Sequence, residues 1–347
     1  MHTIDDLFSL GIKQWENFDG QFDGSDILIG NGFSISLCSR LAYSKLYEIF
    51  VTHTNKDLQA IFVKLNTNNF ELVIDALIKA KNVSEILNYE IKEIPQLINS
   101  LKFGLISSIQ ETHPTWKETN FDLLRSLSVE LSQFNNVYTT NYDVFLYRII
   151  LAYNNLLELN KITGVPYEDS FYEEISDTQL GFGNLLDTKS KMIYYLHGSL
   201  FFFNTGTKII KLRKLEGSVE FIRLIKREID NDNFPIFVAE GNHMDKLFAI
   251  NDNYYLSFCL NMLKRKRKDT DKKMVSFGFS FSSQDIHIAN SIMVSGIKQM
   301  AVSIYTKKSI AELKAEISRI NNLFGEISIE FYDSSSLFSF NKLNYIF

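Results

Sequence analysis

The chain has 347 residues, 45% of them hydrophobic, and a formal net charge of −5. At ~150 residues per domain this suits either two units or one elaborated α/β domain, and the acidic balance gives no global reason to expect nucleic acid. Two distant cysteines, Cys38 and Cys259, form neither a metal-ligand spacing nor a disulfide framework. No apolar run approaches the ~18 residues of a membrane span, and the acidic start Met1-His2-Thr3-Ile4-Asp5-Asp6 lacks a signal-peptide pattern, so a reducing cytoplasm is the expected compartment.

In chain order, residues 26–29 read as a short strand running into a glycine turn, and residues 34–50 as a helix with Ile35, Leu41, Leu46 and Ile49 among its apolar positions. Residues 51–133 carry helical spacing, as in Phe70, Val73, Ile74 and Leu77, and are expected to form a helical insertion on a sheet within a single domain spanning 1–347. A strand at 137–140 and a helix at 142–159 follow, then a loop-rich stretch over 160–190. Residues 192–196 form a strand ending at His197, and 200–204 with 208–212 a hairpin about Thr205-Gly206-Thr207. Further buried strands are expected at 235–239, 274–277, 301–305 and 327–332. Strands alternating with helices predict an α/β fold, a mostly parallel Rossmann-like sheet with helices on both faces.

Three polar motifs sit at the ends of these strand-like runs: Ile29-Gly30-Asn31-Gly32-Phe33-Ser34, Thr139-Thr140-Asn141-Tyr142-Asp143 and Leu196-His197-Gly198. In open α/β sheets ligands bind outside the carboxyl ends of the strands, so the three are expected to share one site. Gly30 and Gly32 suit a turn that a ligand approaches closely, with free helix N–H groups for a phosphate and Ser34 as the helix cap. A tight, capped turn without ligand explains the same residues. Ile35 stands where a dehydrogenase fingerprint has its third glycine, and no P-loop triplet is present.

Thr139, Thr140, Asn141 and Asp143 crowd four polar groups behind Val137 and Tyr138, more than a helix cap needs. An unsatisfied buried polar group costs ~1–3 kcal/mol, so the cluster is expected to meet water or ligand. His197 offers a general base near neutral pH, and Gly198 is expected to leave space beside its ring. Truncating Asn141 or His197 at these strand ends is expected to cost little packing.

Together with Gly278-Phe279-Ser280 and the Phe237-Val238-Ala239-Glu240-Gly241 segment, these motifs resemble the sirtuin-like NAD-processing superfamily over roughly residues 26–333. The usual order there is a Gly-Ala-Gly-type turn, a Thr-Gln-Asn-Ile-Asp-type strand end, a catalytic His-Gly and a late Gly-x-Ser loop. The whole is most similar to a zinc-less bacterial branch with a Gly-Asn-Gly-Phe-Ser turn and a Phe-Gly-x-Ser-x-x-x-x-Asp stretch, here Phe277 to Asp285. The resemblance implies NAD as ligand and substrate. It places Asn141 and Asp143 at the nicotinamide ribose and carboxamide, with His197 as base. Gly30, Gly32 and Ser34 face the pyrophosphate and Gly278 and Ser280 the adenosine side, with Asn31, Phe33, Thr140 and Asp285 among the binding residues.

Two departures shape the expectation. Asn31 replaces the usual alanine, and two distant cysteines cannot build the four-cysteine zinc module of the deacylases, so no zinc is expected. The function implied is NAD hydrolysis to nicotinamide and ADP-ribose, as in anti-phage defence. The alternatives are acyl-lysine deacylation, ADP-ribosyl transfer, or a nucleotide-sensing or assembly subunit without turnover. A NAD hydrolase needs gating, so a homo-oligomer or a partner ATPase or other defence protein is expected, with Phe62, Leu65, Phe70 and Leu77 as assembly residues if they are not core. The basic run Lys264-Arg265-Lys266-Arg267-Lys268 is read as a solvated helix end. His287 is set aside, because residues two apart on a helix, such as Asp285 and His287, do not face each other. A Ser280, Asp285 and His197 hydrolase triad is ranked low for want of a Gly-x-Ser-x-Gly elbow.

Overall fold

The computed structural model describes residues 2–89, 91–114, 120–183, 189–213, 221–231, 233–238, 242–266 and 273–340. Thirteen strands are assigned among them: β1 Ile12–Lys13, β2 Asp26–Ile29, β3 Val137–Thr139, β4 Tyr167–Glu168, β5 Phe171–Ser176, β6 Gln179–Phe182, β7 Lys191–Tyr195, β8 Gly198–Asn204, β9 Ile209–Leu212, β10 Pro235–Phe237, β11 Lys273–Phe277, β12 Gln299–Ile304 and β13 Ser328–Asp333. Eight of them form a parallel, Rossmann-like sheet flanked by helices, in the order β1-β13-β12-β11-β2-β3-β7-β4. Its central strands are buried along their whole length, as their near-continuous apolar runs require of a sheet covered on both faces.

The strand order reverses at the contact between β2 and β11. From β2 the chain builds outward through β3 to β7, and from β11 it builds the other way through β12 to β13. Register places Phe277, Ile29, Thr139 and Tyr195 in one row across four adjacent strands. The residues that follow them, including all three polar motifs and Gly278, therefore leave the sheet at the same level.

After the Asn31–Leu37 helix, five more helices lie between β2 and β3 among the described residues: Tyr43–His53, Lys56–Lys64, Phe70–Ile86, Glu93–Thr112 and Phe121–Leu131. Phe50, Phe62 and Phe70 pack ring against ring at their centre, with centroids 5.1–5.6 Å apart. Phe62, Phe70 and Leu77 are thus core residues, not an assembly face; of the four expected there only Leu65 is exposed.

A second, antiparallel sheet, β10-β8-β9-β6-β5, carries the expected 200–212 hairpin. Two expectations change here. Residues 160–190 are not simply loop, because β4, β5 and β6 lie within them; β5 buries only Phe171 and exposes Tyr172–Ser176, so it has no burial alternation to detect. The strand beginning at Pro235 does not join the parallel sheet but pairs antiparallel with β8, a choice that a short apolar run does not encode. Ala239, its expected end, lies outside the described residues. The expected 34–50 helix is also two helices, Asn31–Leu37 and Tyr43–His53, parted by extended backbone at Cys38 and a 3₁₀ turn. Both pieces bury apolar residues in the same core, so the period runs through the break. No described helix is long and apolar enough to cross a membrane.

Candidate functional site

A cavity of 370 Å³ opens where the strand order reverses. The strand-end residues Asn31, Gly32, Thr140, Asn141, Asp143, His197, Gly278, Ser280 and Asp285 line it, together with Leu41, Leu46, Asn69 and Ile109 from the helical region. The expectation that the motifs share one site holds in this geometric sense. Gly30, Phe33 and Ser34 are not among the lining residues.

The glycines do different work from that expected. Gly32 N–H donates to the Gly278 carbonyl at 2.9 Å, and Gly30 N–H to the Phe277 carbonyl at 2.9 Å. A Cβ on Gly30 would stand 2.6 Å from the Gly278 oxygen, one on Gly32 2.6 Å from Gly278 Cα, and one on Gly278, at φ +65°, 2.6 Å from Phe33 N. The two turns therefore clasp each other backbone to backbone. Gly32 N–H, and Phe33 N–H through the Gly30 carbonyl, are consumed within this clasp, so the turn is not a row of free donors awaiting a phosphate. Phe33 packs among Phe277, Phe338 and Phe340 and is core.

Ser34 does not cap its helix. It lies inside the first turns, and its hydroxyl donates to Asp143 Oδ2 at 2.5 Å. Asp143 Oδ1 accepts from Phe145 N–H at 2.8 Å, which ties the carboxylate to the start of the Phe145–Glu158 helix. Burial pushes the Asp143 carboxyl upward, and the bonds from Ser34 and Phe145 offset only part of that. With both oxygens engaged, Asp143 is placed as a structural anchor on the cavity wall. Asn141 donates through Nδ2 to the Gly30 carbonyl at 3.0 Å and to Ser34 Oγ at 2.9 Å. Its Oδ1 is buried and has no partner among the described residues. Truncating Asn141 thus removes two hydrogen bonds, contrary to the expectation of little structural cost.

His197 occupies the short link between β7 of the parallel sheet and β8 of the antiparallel one. Leu196 N–H donates to the Thr139 carbonyl at 2.8 Å, and the His197 carbonyl accepts from Val238 N–H at 2.9 Å. Gly198 does not open space beside the imidazole. At φ +77°, a Cβ there would meet the Ile236 carbonyl oxygen at 2.1 Å, so the glycine admits β10 instead.

Sequence reasoning missed the surroundings of His197. Its Nε2 lies 3.0 Å from His287 Nε2 and 4.0 Å from Asp285 Oδ1. Lys246 Nζ, on the His243–Asp252 helix, is 2.8 Å from the same Asp285 oxygen, and Ser282 Oγ donates to Asp285 Oδ2 at 3.2 Å. Asp285 and His287 do converge, because Asp285 is the residue before the Ile286–Val294 helix, with φ −116° and ψ 21°, and escapes the angular rule for helical neighbours. The spacing Asp285-Ile286-His287 was the available signal; nothing in the sequence marked Lys246.

Burial holds the His197 imidazole well below its ordinary range, the Lys246 ammonium and His287 push the same way, and the Asp285 carboxylate opposes them. Burial likewise lowers His287 to about 4, again against Asp285. Asp285 itself is raised by burial but lowered more by Lys246 and His197, and ends below the ordinary carboxylate range. The site therefore presents two neutral imidazoles beside a buried ion pair. Donor atoms of His197, Asp285 and His287 lie within 4.8 Å of one another, close enough to share a cation. Lys246 already supplies the cationic charge to that carboxylate, so the arrangement is a closed ion pair.

Ser280 lines the cavity, and its carbonyl accepts from Arg319 Nη2 at 2.6 Å. Lys264, Arg265 and Lys266 lie at a helix end, while 267–268 fall outside the described residues, as do Ala239, Glu240 and Gly241 of the expected Gly-Glu strand.

Fold and site together define a Rossmann-like α/β protein with a ligand-sized cavity at the switch point of its parallel sheet. The chain belongs to the family described as "Domain of unknown function (DUF4917)", whose profile matches residues 27–339. A search of curated proteins finds no match.

Proposed function

We propose that this protein binds NAD in the switch-point cavity and hydrolyses it to nicotinamide and ADP-ribose. The observation that carries the reading is the convergence of Asn141 and His197, from neighbouring strand ends, on one cavity of 370 Å³. Asn141 brings a buried carbonyl oxygen without a partner among the described residues, and His197 a neutral imidazole.

The chemistry asks little of the protein. The bond between ribose C1′ and the pyridinium nitrogen breaks with its electron pair going to nicotinamide, which leaves neutral, and the ribose acquires oxocarbenium character. Water attacks C1′, and its proton passes to His197. Asn141 Oδ1 accepts a hydrogen bond from that water or from a ribose hydroxyl and so orients it. A positioned base of this kind contributes typically ~10²–10⁴-fold. Asp143 and Ser34 hold Asn141 and the turn in place, and no zinc is required.

Incubating the purified protein with NAD tests the reading. Free nicotinamide with ADP-ribose is the expected result. Product formation only with an acylated peptide would replace it with deacylation, a modified protein product with ADP-ribosyl transfer, and binding without product with a sensor. We further propose a cytoplasmic protein of anti-phage defence, gated by self-assembly or by a partner such as an ATPase. The exposed Val63, Val83, Ile86 and Leu87 of the helical region support a contact surface. Light scattering in parallel with the NAD assay tests this; full activity from a dilute monomer overturns it.

A further inference from the structure

We infer that His287 is a positioning residue that shares one proton with His197 across their Nε2–Nε2 contact and so dictates which protonation state His197 presents to the cavity. The inference rests on the NAD reading for its catalytic meaning, but the shared proton is a property of the protein alone.

The geometry leaves few options. Two imidazole nitrogens 3.0 Å apart cannot both present lone pairs, nor both carry hydrogens, so in the neutral pair one hydrogen lies between them. If it belongs to His197, then Nδ1 of His197 is bare and can accept a proton from water in the cavity. If it belongs to His287, then Nδ1 of His197 carries hydrogen and can only donate. His287 Nδ1 is buried without a partner among the described residues, so no further hydrogen bond there fixes the choice. The pair is a two-state element whose members titrate together.

Among the groups around it, Asp285 favours a transient positive charge, against burial and the neighbouring cations. Asp285 stands 4.0 Å from His197 Nε2, with Lys246 ion-paired to it at 2.8 Å and Ser282 on its other oxygen. Lys246 keeps Asp285 ionised, so the carboxylate steadies an imidazolium without taking the proton itself. Burial, Lys246, His243 and Lys264 act against a charge on His287. When water attacks, its proton goes to His197 Nδ1, the hydrogen on Nε2 stays between the two rings, and the added charge is shared across the pair beside the Asp285 carboxylate. Release of one proton to solvent restores the pair.

The test uses the full chain labelled with ¹⁵N-histidine, in wild type, His287→Phe and His287→Gln, with long-range ¹H–¹⁵N spectra recorded across pH. In wild type we expect one hydrogen between the two Nε2 atoms and two separated protonation steps. In His287→Phe the His197 signals should move to a different tautomer balance and a single step, and His287→Gln, which can still bond Nε2, should restore the wild-type balance. The catalytic arm expects kcat for NAD cleavage to fall ~10-fold in His287→Phe with KM unchanged, the pH profile to shift, and His287→Gln to recover part of the loss. Independent single-step titration of both rings in wild type overturns the inference, even if a variant fails to fold. Stoichiometric zinc in tag-free protein, whose removal shifts both rings, overturns it in favour of a metal. Paired titration without any NAD cleavage leaves the shared proton standing and defeats the NAD reading instead.

Discussion

At one wall of the cavity, Asn141 and Asp143, with Ser34 behind them, direct nearly all their hydrogen-bonding capacity at one another and at backbone, leaving Asn141 Oδ1 without a partner among the described residues. At the other wall, His197, Asp285 and Lys246, with His287 behind His197, bring four ionisable side chains into contact. The first wall has its geometry fixed by hydrogen bonds to the Gly30 turn and to the start of the Phe145–Glu158 helix. The second has its charge state balanced among neighbours. Substitutions in the first should act on stability and orientation, and those in the second on protonation as well as stability.

The largest effect expected is at His197. If NAD is the substrate, His197→Ala should lower cleavage by ~10²–10⁴-fold, the usual contribution of a positioned base, while circular dichroism stays as in wild type. Cleavage near the wild-type rate would remove the chemical distinction between the walls.

Lys246→Met comes next. It leaves Asp285 buried beside two imidazoles without its counter-ion, and breaking a buried pair in this way costs about 3–5 kcal/mol. Denaturant midpoints should show the loss, and adding Asp285→Asn should recover much of it. Equal stability of the single and double variants would show that the pair is not coupled.

Stability should also fall with acid. His287 titrates at about 4 in the folded chain, below the ~6.5 of an unfolded histidine, so the unfolded state takes up the proton first. Stability is then level above ~6.5 and declines as pH falls toward about 4. His197, depressed for the same reason, acts in the same direction. Urea unfolding from pH 7 to 4.5 should show the decline, and His287→Phe should flatten it; an unchanged slope in the variant would assign the decline to other groups.

The smallest effect separates the walls from the other side. Asn141→Ala removes donors to the Gly30 carbonyl and Ser34 Oγ, at about 1–3 kcal/mol. Thermal melts should show that loss in addition to any loss of activity. A melt identical to wild type would place Asn141 in the second kind of wall.

The two walls were not equally legible in the sequence. The parallel sheet followed from buried apolar runs alternating with helices, and Gly30, Asn141 and His197 stood out because each follows such a run. The roles of the glycines did not: a turn needing room for a ligand and a turn needing room for another turn look alike until Gly278 is seen against Gly32. Lys246 was invisible, since one lysine on a helix carries no mark of the carboxylate it will meet. His287 was set aside by a rule for regular helices that fails at the residue preceding the helix. The second sheet was half read, because β5 is held by pairing with β6 and not by burial.

The backbone clasp between the two turns has a consequence for how the protein is made. Gly30 and Asn31 emerge early from a ribosome, and Asn141 and His197 follow, but the turn they serve has no partner until Gly278 has been synthesised. His287 and Asp285 arrive later still. A chain arrested before β11 carries the strand-end motifs without the surface that closes them into a cavity. Unfinished copies of this protein are therefore expected to be inert, and function begins only once both halves of the sheet are present in one chain.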